Sequence, residues 1–293
     1  MSRFDDSRPE MTAEEFRLLR DLVYERCGIS IRDDLKFVME RRLWPRLEVL
    51  GLPDFSAYHR HLRLDPRGAA ELDFAIEALA TNETYFFREK PQLQAFSDEI
   101  LPRLEEQNRA TRRLRIWSAG CSTGEEPYTI AILVKESGRF EGWDVQVLGT
   151  DISRRVLASA RRAEYGPSSM RAMPDGSLER YFDPLGARWK LKEEVRSLVT
   201  FGQLNLVELE QGQLVSRQDA VFCRNVLIYF DLPARRRALD LFHARLHEGG
   251  YLLLGHSESL INLSASFELV HLKTDLVYRK PRPGPGPAGG GRP

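Results

Sequence analysis

At 293 residues the chain is long enough for two domains, each with its own core. Its 43 Lys and Arg balance 43 Asp and Glu, so a formal net charge of +0 excludes bulk electrostatic attraction to nucleic acid. Three cysteines far apart in the chain, Cys27, Cys121 and Cys223, form no C-x-x-C pattern, which excludes a disulfide framework or a zinc site and points to a reducing compartment.

The chain opens on MSRFDDSRPEM, which lacks the apolar core of a signal peptide. No later run reaches membrane-spanning length, so a soluble, cytoplasmic protein is expected. Thr12-Ala13-Glu14-Glu15 reads as a capping box, followed at helical spacing by Phe16, Leu19, Leu22 and Val23 and stopped by Gly28. A second helix begins at Asp33 or Asp34, carries Lys36, Arg41, Arg42 and Arg46, and is expected to break near Pro45. Pro53-Asp54 opens a third, and Leu72, Ala75, Ile76 and Leu79 mark a fourth. Residues 1–80 therefore form an all-helical N-terminal domain. Its basic residues are a solvated face or a docking surface for an acidic helix.

Thr81–Glu89, TNETYFFRE, interleaves aromatic with polar residues without clear periodicity and fits either a lid or an interdomain plug. Leu114–Tyr128, LRIWSAGCSTGEEPY, then gives a buried strand, a turn of small residues and a helix opening on two carboxylates. Strand, turn and helix in that order begin a nucleotide-binding α/β domain. Gly120 and Gly124 do not complete the dinucleotide pattern G-x-G-x-x-G, and Glu125 and Glu126 would repel a pyrophosphate. They suit a cationic or hydroxyl-rich ligand, which S-adenosylmethionine fits and NAD does not; the alternative is a small-residue turn followed by acids that merely favour the helix dipole.

Val145–Ile152 is the second strand, and Asp151 at its end is placed either to accept from both ribose hydroxyls or to cap a helix starting near Ser153; in combination with the first turn the ribose is favoured. A short antiparallel hairpin is expected from Arg188–Leu191 and Val195–Thr200 around Lys192-Glu193-Glu194. Val199–Leu206 resumes the sheet with Asn205 at its end, and Ala220–Cys223 precedes Arg224 and Asn225. Pro233–His247 is helical, Tyr251–Leu254 is a buried strand, and Phe267–Arg279 is a final antiparallel hairpin. The tail PRPGPGPAGGGRP from Pro281 is disordered by composition. Gly120, Asp151, Asn205 and Asn225 all fall at carboxyl ends of strands, where open parallel sheets bind ligands. His243 and His247 stand four apart without a metal-binding pattern, so no metal is expected, and His256 reads as structural.

From Leu79 to Glu258 the chain resembles the CheR-type chemotaxis methyltransferases, which esterify chemoreceptor glutamates with S-adenosylmethionine. The resemblance rests on TNETYFFRE, RIWSAGCSTGEEPY, GTDIS, QLNL, FCRNVLIYFD and GHSESL in that order. It implies a Rossmann-like class I methyltransferase domain (α/β) with a small β-hairpin insertion, preceded by an all-α domain. The divisions it implies are a receptor-docking domain at 1–80, a linker at 81–95 contributing to the cofactor site, and a catalytic domain at 96–280 with a β subdomain at about 165–200; the tail at 281–293 lies beyond.

The resemblance also implies roles. Asn82, Thr84 and Arg88 contact the cofactor from the linker, and Gly120 lies in the binding turn. Glu125 or Glu126 takes the methionine ammonium, and Asp151 holds the ribose. Asn205 and Leu206 flank the adenine, while Arg224 and Asn225 close the pocket. Arg88 and Tyr229 stand at the methyl-transfer centre, where a glutamate carboxylate displaces the methyl group directly and S-adenosylhomocysteine is left as product. The partner implied is the cytoplasmic domain of methyl-accepting chemoreceptors, met by a monomer through Lys36, Arg42 and Arg46. The loop in Asp183–Arg188, DPLGAR, is shorter than in relatives that grip a receptor tether. Two other readings are an N-methyltransferase, against which stands the missing Asn-Pro-Pro motif at Asn225-Val226-Leu227, and an inactive receptor-binding module, against which stand Arg88, Asp151 and Tyr229.

Overall fold

The structure, a computed structural model, describes residues 9–261 and 263–282. The expected disordered tail lies outside them except for Pro281 and Arg282. The chain forms two units, one up to Thr81 together with Tyr229–Ala234, the other comprising Asn82–Ile228 and the residues from Arg235 onward.

The first unit is built from α1 (Ala13–Cys27), α2 (Lys36–Leu50), α3 (Phe55–Leu64) and α4 (Gly68–Leu79). The capping box forms as the sequence requires: Glu15 N–H donates to Thr12 Oγ1, and Glu15 Oε2 accepts from Thr12 N–H. Gly28 ends α1 in the left-handed conformation. Pro45 does not break α2, contrary to the sequence expectation. Met39, Leu43 and Leu47 are buried on one face spanning the proline, so tertiary packing outweighs the single backbone hydrogen bond that proline forfeits. Tyr229–Ala234 joins this unit through a bridge from Phe230 to Ile29 and the hydrogen bond from Tyr24 Oη to Asp231 Oδ2, 2.8 Å.

In the second unit α5 (Lys90–Ala95) and α6 (Leu101–Asn108) are joined by one π-helical turn, Phe96–Ile100. The elements that follow are β1 (Arg113–Ala119), α7 (Glu125–Glu136), β2 (Asp144–Asp151), α8 (Arg154–Arg162), β3 (Glu164–Tyr165), α9 (Ser177–Tyr181), β4 (Phe182–Leu185), β5 (Arg188–Leu191) and α10 (Glu193–Arg196). β6 (Val199–Gln203), α11 (Leu209–Gly212), β7 (Gln218–Cys223), α12 (Leu232–Arg245), β8 (Leu246–Leu254), β9 (Glu268–His271) and β10 (Leu276–Arg279) complete the chain. One sheet runs β6-β2-β1-β7-β8-β10-β9. Its first five strands are parallel, and β10 lies antiparallel between β8 and β9. The winding reverses between β1 and β7, which places a ligand crevice at the carboxyl ends of these strands.

Both faces of β1 are buried. Leu114 and Ile116 pack with Ile130, Ala131 and Phe222, while Trp117 meets Phe242 edge-on at 5.3 Å. A second sheet, β3-β5-β4, is the β insertion. Its hairpin differs from the sequence expectation: β5 pairs with Phe182–Leu185 across Gly186-Ala187, not with Val195–Thr200. Lys192-Glu193-Glu194 leads instead into the helical turn α10, whose first residues are acids, and Val199–Gln203 pairs with β2 in the main sheet. Pro184 hid the true partner strand, and it is tolerated because β4 is an edge. No helix among the described residues is long and apolar enough to cross a membrane.

Candidate active site

The turn after β1 is shaped by two left-handed glycines. Gly120 has φ +79°, and a Cβ there would lie 2.4 Å from Val226 Cγ2. Gly124, at φ +95°, caps α7 against Ala160. Thr150 O accepts from the N–H groups of Gly120 and Cys121, at 2.8 and 2.9 Å. Asp151 is the other anchor: Oδ2 accepts from Ser122 N–H at 2.9 Å and Oδ1 from Ser153 N–H at 3.0 Å. A carboxylate at the end of β2 thus fixes the turn.

The two acids opening α7 differ. Glu125 Oε2 accepts from Thr123 Oγ1 at 2.7 Å and Oε1 from Ser169 Oγ at 2.9 Å. Glu126 Oε1 accepts from Ser118 Oγ at 2.7 Å, and its Oε2 stands 3.5 Å from Arg224 Nε. Burial pushes both carboxyls above their usual value, with Arg224 acting against it at Glu126.

The linker reaches the same place. Asn82 O accepts from Ser122 Oγ at 3.1 Å, and Thr84 follows, half-buried. Phe86 is buried edge-on against Tyr165 and Phe182, and Phe87 N–H donates to Thr129 Oγ1. These aromatics anchor the segment in the core of the second unit. Arg88 Nη1 donates to Glu83 O at 2.9 Å, and Arg88 O accepts from Arg224 Nη2. Glu89 Oε2 lies 3.5 Å from Arg224 Nε and 3.1 Å from His256 Nδ1. Burial raises its pKa, but Arg224 and His256 outweigh that and hold it below the usual carboxylate range.

That lowered value sets a pH signature. The contribution of Glu89 to stability is complete above about pH 4.3 and is lost as pH falls through its lower folded value. The difference in unfolding free energy between wild type and Glu89→Gln is expected to be full at neutral pH and to vanish in strong acid. Denaturant titrations at pH 7 and pH 3 measure it, and a difference that grew on acidification would reverse the assignment.

Asn225, at φ +61°, directly follows Arg224 at the end of β7. Its Nδ2 reaches Glu89 Oε1 at 3.3 Å, while its buried Oδ1 has no hydrogen-bond partner. Four of the six non-glycine residues with positive φ among those described, Phe87, Glu89, Ser122 and Asn225, lie in these segments. Such conformations cost on the order of 1–3 kcal/mol each and persist only where the surrounding structure holds them. Asn205 and Leu206 follow β6, where Leu204 N–H donates to Asp151 O at 3.0 Å. Asn205 Nδ2 bonds Glu208 Oε1, and Leu206 is buried.

The structure therefore brings Asn82, the Arg88 backbone, Gly120, Glu126, Asp151, Arg224 and Asn225 into one hydrogen-bonded neighbourhood, with Asn205 and Leu206 on the adjoining strand end. Tyr229 groups with the helical unit, where its carbonyl accepts from Ser30 N–H at 2.8 Å. Lys36, Arg42 and Arg46 are engaged within that unit as well. Lys36 Nζ bonds Met11 O, Arg42 Nη1 donates to Leu79 O at 2.6 Å, and Arg46 makes a two-pronged pair with Glu71 at 2.8 and 2.6 Å.

Sequence reasoning missed Glu89 and Glu258. Glu258 accepts from four backbone N–H groups, those of Asn225, Val226, Ile228 and Gly255. Its place three residues after Gly255, past the end of a buried strand, was the available signal.

Comparison with known families decides the class. The CheR methyltransferase SAM-binding domain matches residues 82–276, and the CheR all-alpha domain matches residues 14–80. The chain belongs to the CheR methyltransferase family. Chemotaxis protein methyltransferase 2 of Vibrio cholerae is 35% identical to this CheR chain over 94% of it and 95% of the relative. Chemotaxis protein methyltransferase 2 of Pseudomonas aeruginosa is 38% identical over 94% and 96%, and the Borreliella burgdorferi chemotaxis protein methyltransferase 37% identical over 85% and 89%. The cofactor is S-adenosylmethionine. The CheR site fits it, since Asp151, Glu126 and the unpartnered Asn225 Oδ1 are acceptors for a ligand rich in ammonium and hydroxyl donors.

Proposed function

We propose that this CheR methyltransferase converts glutamate side chains on the cytoplasmic domain of methyl-accepting chemoreceptors into methyl esters, acting as a cytoplasmic monomer. The observation that carries the reading is the acceptor-lined cradle of Gly120–Gly124 and Asp151 in a chain of this family. Asp151 takes the ribose hydroxyls. Glu125 or Glu126 takes the ammonium group; both carboxylates open α7, Glu125 accepting from Thr123 and Ser169 and Glu126 from Ser118 beside Arg224. Asn205 and Leu206 flank the base, Asn82 and Thr84 line the linker side, and Arg224 and Asn225 close the pocket.

S-adenosylmethionine supplies an electrophilic methyl group. A glutamate side chain has a pKa of about 4.3, so the acceptor is already ionised at neutral pH and needs no general base. The work left to the chain is alignment and exclusion of water. Arg88 orients the incoming carboxylate. Arg88→Ala is expected to lower turnover about 10²-fold, far more than it lowers cofactor affinity, since misplacement by ~1 Å is enough for such a loss. Equal losses in kcat and in cofactor affinity would place Arg88 in binding instead.

The two-residue connection at Gly186-Ala187 leaves little loop to hold a receptor tether. Recognition then falls to the helical unit, where Phe37 and Arg41 on α2 are exposed.

Incubation with radiolabelled S-adenosylmethionine and receptor cytoplasmic domains tests the reading. The label is expected to leave as methanol on mild alkaline treatment, with turnover nearly flat between roughly pH 6 and 8.5 because the acceptor is ionised throughout. A base-stable label would overturn the carboxylate assignment in favour of N-methylation.

A further inference from the structure

Glu258 has no role in the chemistry described above, yet it is among the most heavily committed side chains of the second unit. Oε2 accepts from Asn225 N–H at 2.8 Å and Gly255 N–H at 2.7 Å, while Oε1 accepts from Val226 N–H at 3.0 Å and Ile228 N–H at 3.2 Å. All four donors are backbone, and three belong to one short loop after β7. A half-buried carboxylate satisfied in this way fixes the path of the loop, because four backbone donors converge on its two oxygens.

The loop it fixes lies over the cofactor turn. Val226 packs so closely on Gly120 that a Cβ there would stand 2.4 Å from Val226 Cγ2. The same loop holds Asn225 in the left-handed region, which an asparagine enters only at some cost. In that conformation Asn225 Nδ2 is used by Glu89, and the buried Oδ1 is left without a donor. A buried acceptor unmatched in the protein calls for a donor from outside it, a water or a ligand.

We infer that Glu258 is a positioning residue of the cofactor site, holding the Asn225–Ile228 loop against the Gly120 turn so that Asn225 Oδ1 meets an N–H or O–H donor of S-adenosylmethionine. This rests on the methyltransferase reading for its ligand but not on the identity of the methyl acceptor. Glu258 need not touch the cofactor; it acts through Asn225.

The test measures binding of S-adenosylhomocysteine by calorimetry together with backbone hydrogen exchange in the full chain. Glu258→Gln keeps the shape but turns an NH2 group toward two N–H donors, so affinity is expected to fall at least about tenfold. The amides of Asn225, Val226, Ile228 and Gly255 should exchange faster while β1 and β7 stay protected. Asn225→Gly, which tolerates the left-handed conformation but lacks the amide, is expected to lose affinity alone, with those amides still protected. The double variant should bind no more weakly than Glu258→Gln alone, because a loop already released has no placed amide to lose.

Additive losses, or unchanged affinity in Glu258→Gln, would overturn the inference and leave Glu258 a stability residue. Should Glu258→Gln fail to fold, Gly255→Ala puts the same question, because its methyl would stand 2.9 Å from both Asn225 N and Glu258 Oε2. It too should couple to Asn225→Gly, and additivity there would equally overturn the proposal. Wild-type binding of S-adenosylhomocysteine without ester formation on receptor would fail the proposed function and leave this inference standing.

Discussion

Asp151→Ala is expected to weaken S-adenosylhomocysteine binding by two to four orders of magnitude in a chain that still folds. Each hydrogen bond to a charged acceptor contributes about 1.5–3 kcal/mol, and two ribose hydroxyls lose theirs together. The structure adds a second loss. Asp151 Oδ2 is also the acceptor for Ser122 N–H, and Ser122 sits at φ +48°, so the turn itself loses the contact that holds its strained residue. Asp151→Asn separates the two contributions, since its amide oxygen retains one acceptor. Calorimetry gives the affinities, and a folded Asp151→Ala chain that bound normally would remove Asp151 from the cofactor site.

Arg46→Glu is expected to melt the helical unit at markedly lower denaturant. Arg46 meets Glu71 through two hydrogen bonds, and Glu71 Oε1 also accepts from Tyr58 Oη at 2.8 Å. The Glu71 side chain is only 6% exposed, so reversing the charge opposite it leaves two carboxylates facing each other with little water. Breaking a buried pair in this way costs about 3–5 kcal/mol, a large part of what holds a small unit folded. The variant therefore cannot report on receptor docking. Arg41→Glu can, because Arg41 is exposed on the same helix. Unfolding followed by circular dichroism decides the first point, and an unmoved transition for Arg46→Glu would return Arg46 to the surface.

These outcomes show where the sequence was legible. Capping at Thr12, the stop at Gly28 and the small residues from Ala119 to Gly124 act locally, so their chemistry was visible in the order of residues. Pro45 misled because its local penalty is paid back by packing of residues on either side. The hairpin partner was missed because Pro184 is acceptable only on an edge, and which strand is an edge is a property of the finished sheet. Strand-end positions picked out Gly120, Asp151, Asn205 and Asn225, yet said nothing of whether Arg42 or Arg46 had partners within their own unit. The contacts of Glu89, and those that Glu258 makes beyond Gly255, were hidden for a related reason. Their partners, Arg224 and the backbone of Asn225–Ile228, are remote in sequence, and no periodicity records such pairing.

That remoteness bears on how the enzyme matures. The hydrogen bond between Arg224 and the Arg88 carbonyl joins residues 136 apart in the chain, and Asn225 with Glu89 spans the same distance. Ser122 with Asn82 spans 40, and Glu258 with Asn225 spans 33. Contacts of such long range form only after loop closure by the intervening sheet, which is slow compared with helix formation. During refolding the helices should regain their circular dichroism first, and competence to bind the cofactor should arrive last, with the closing of β7 beside β1.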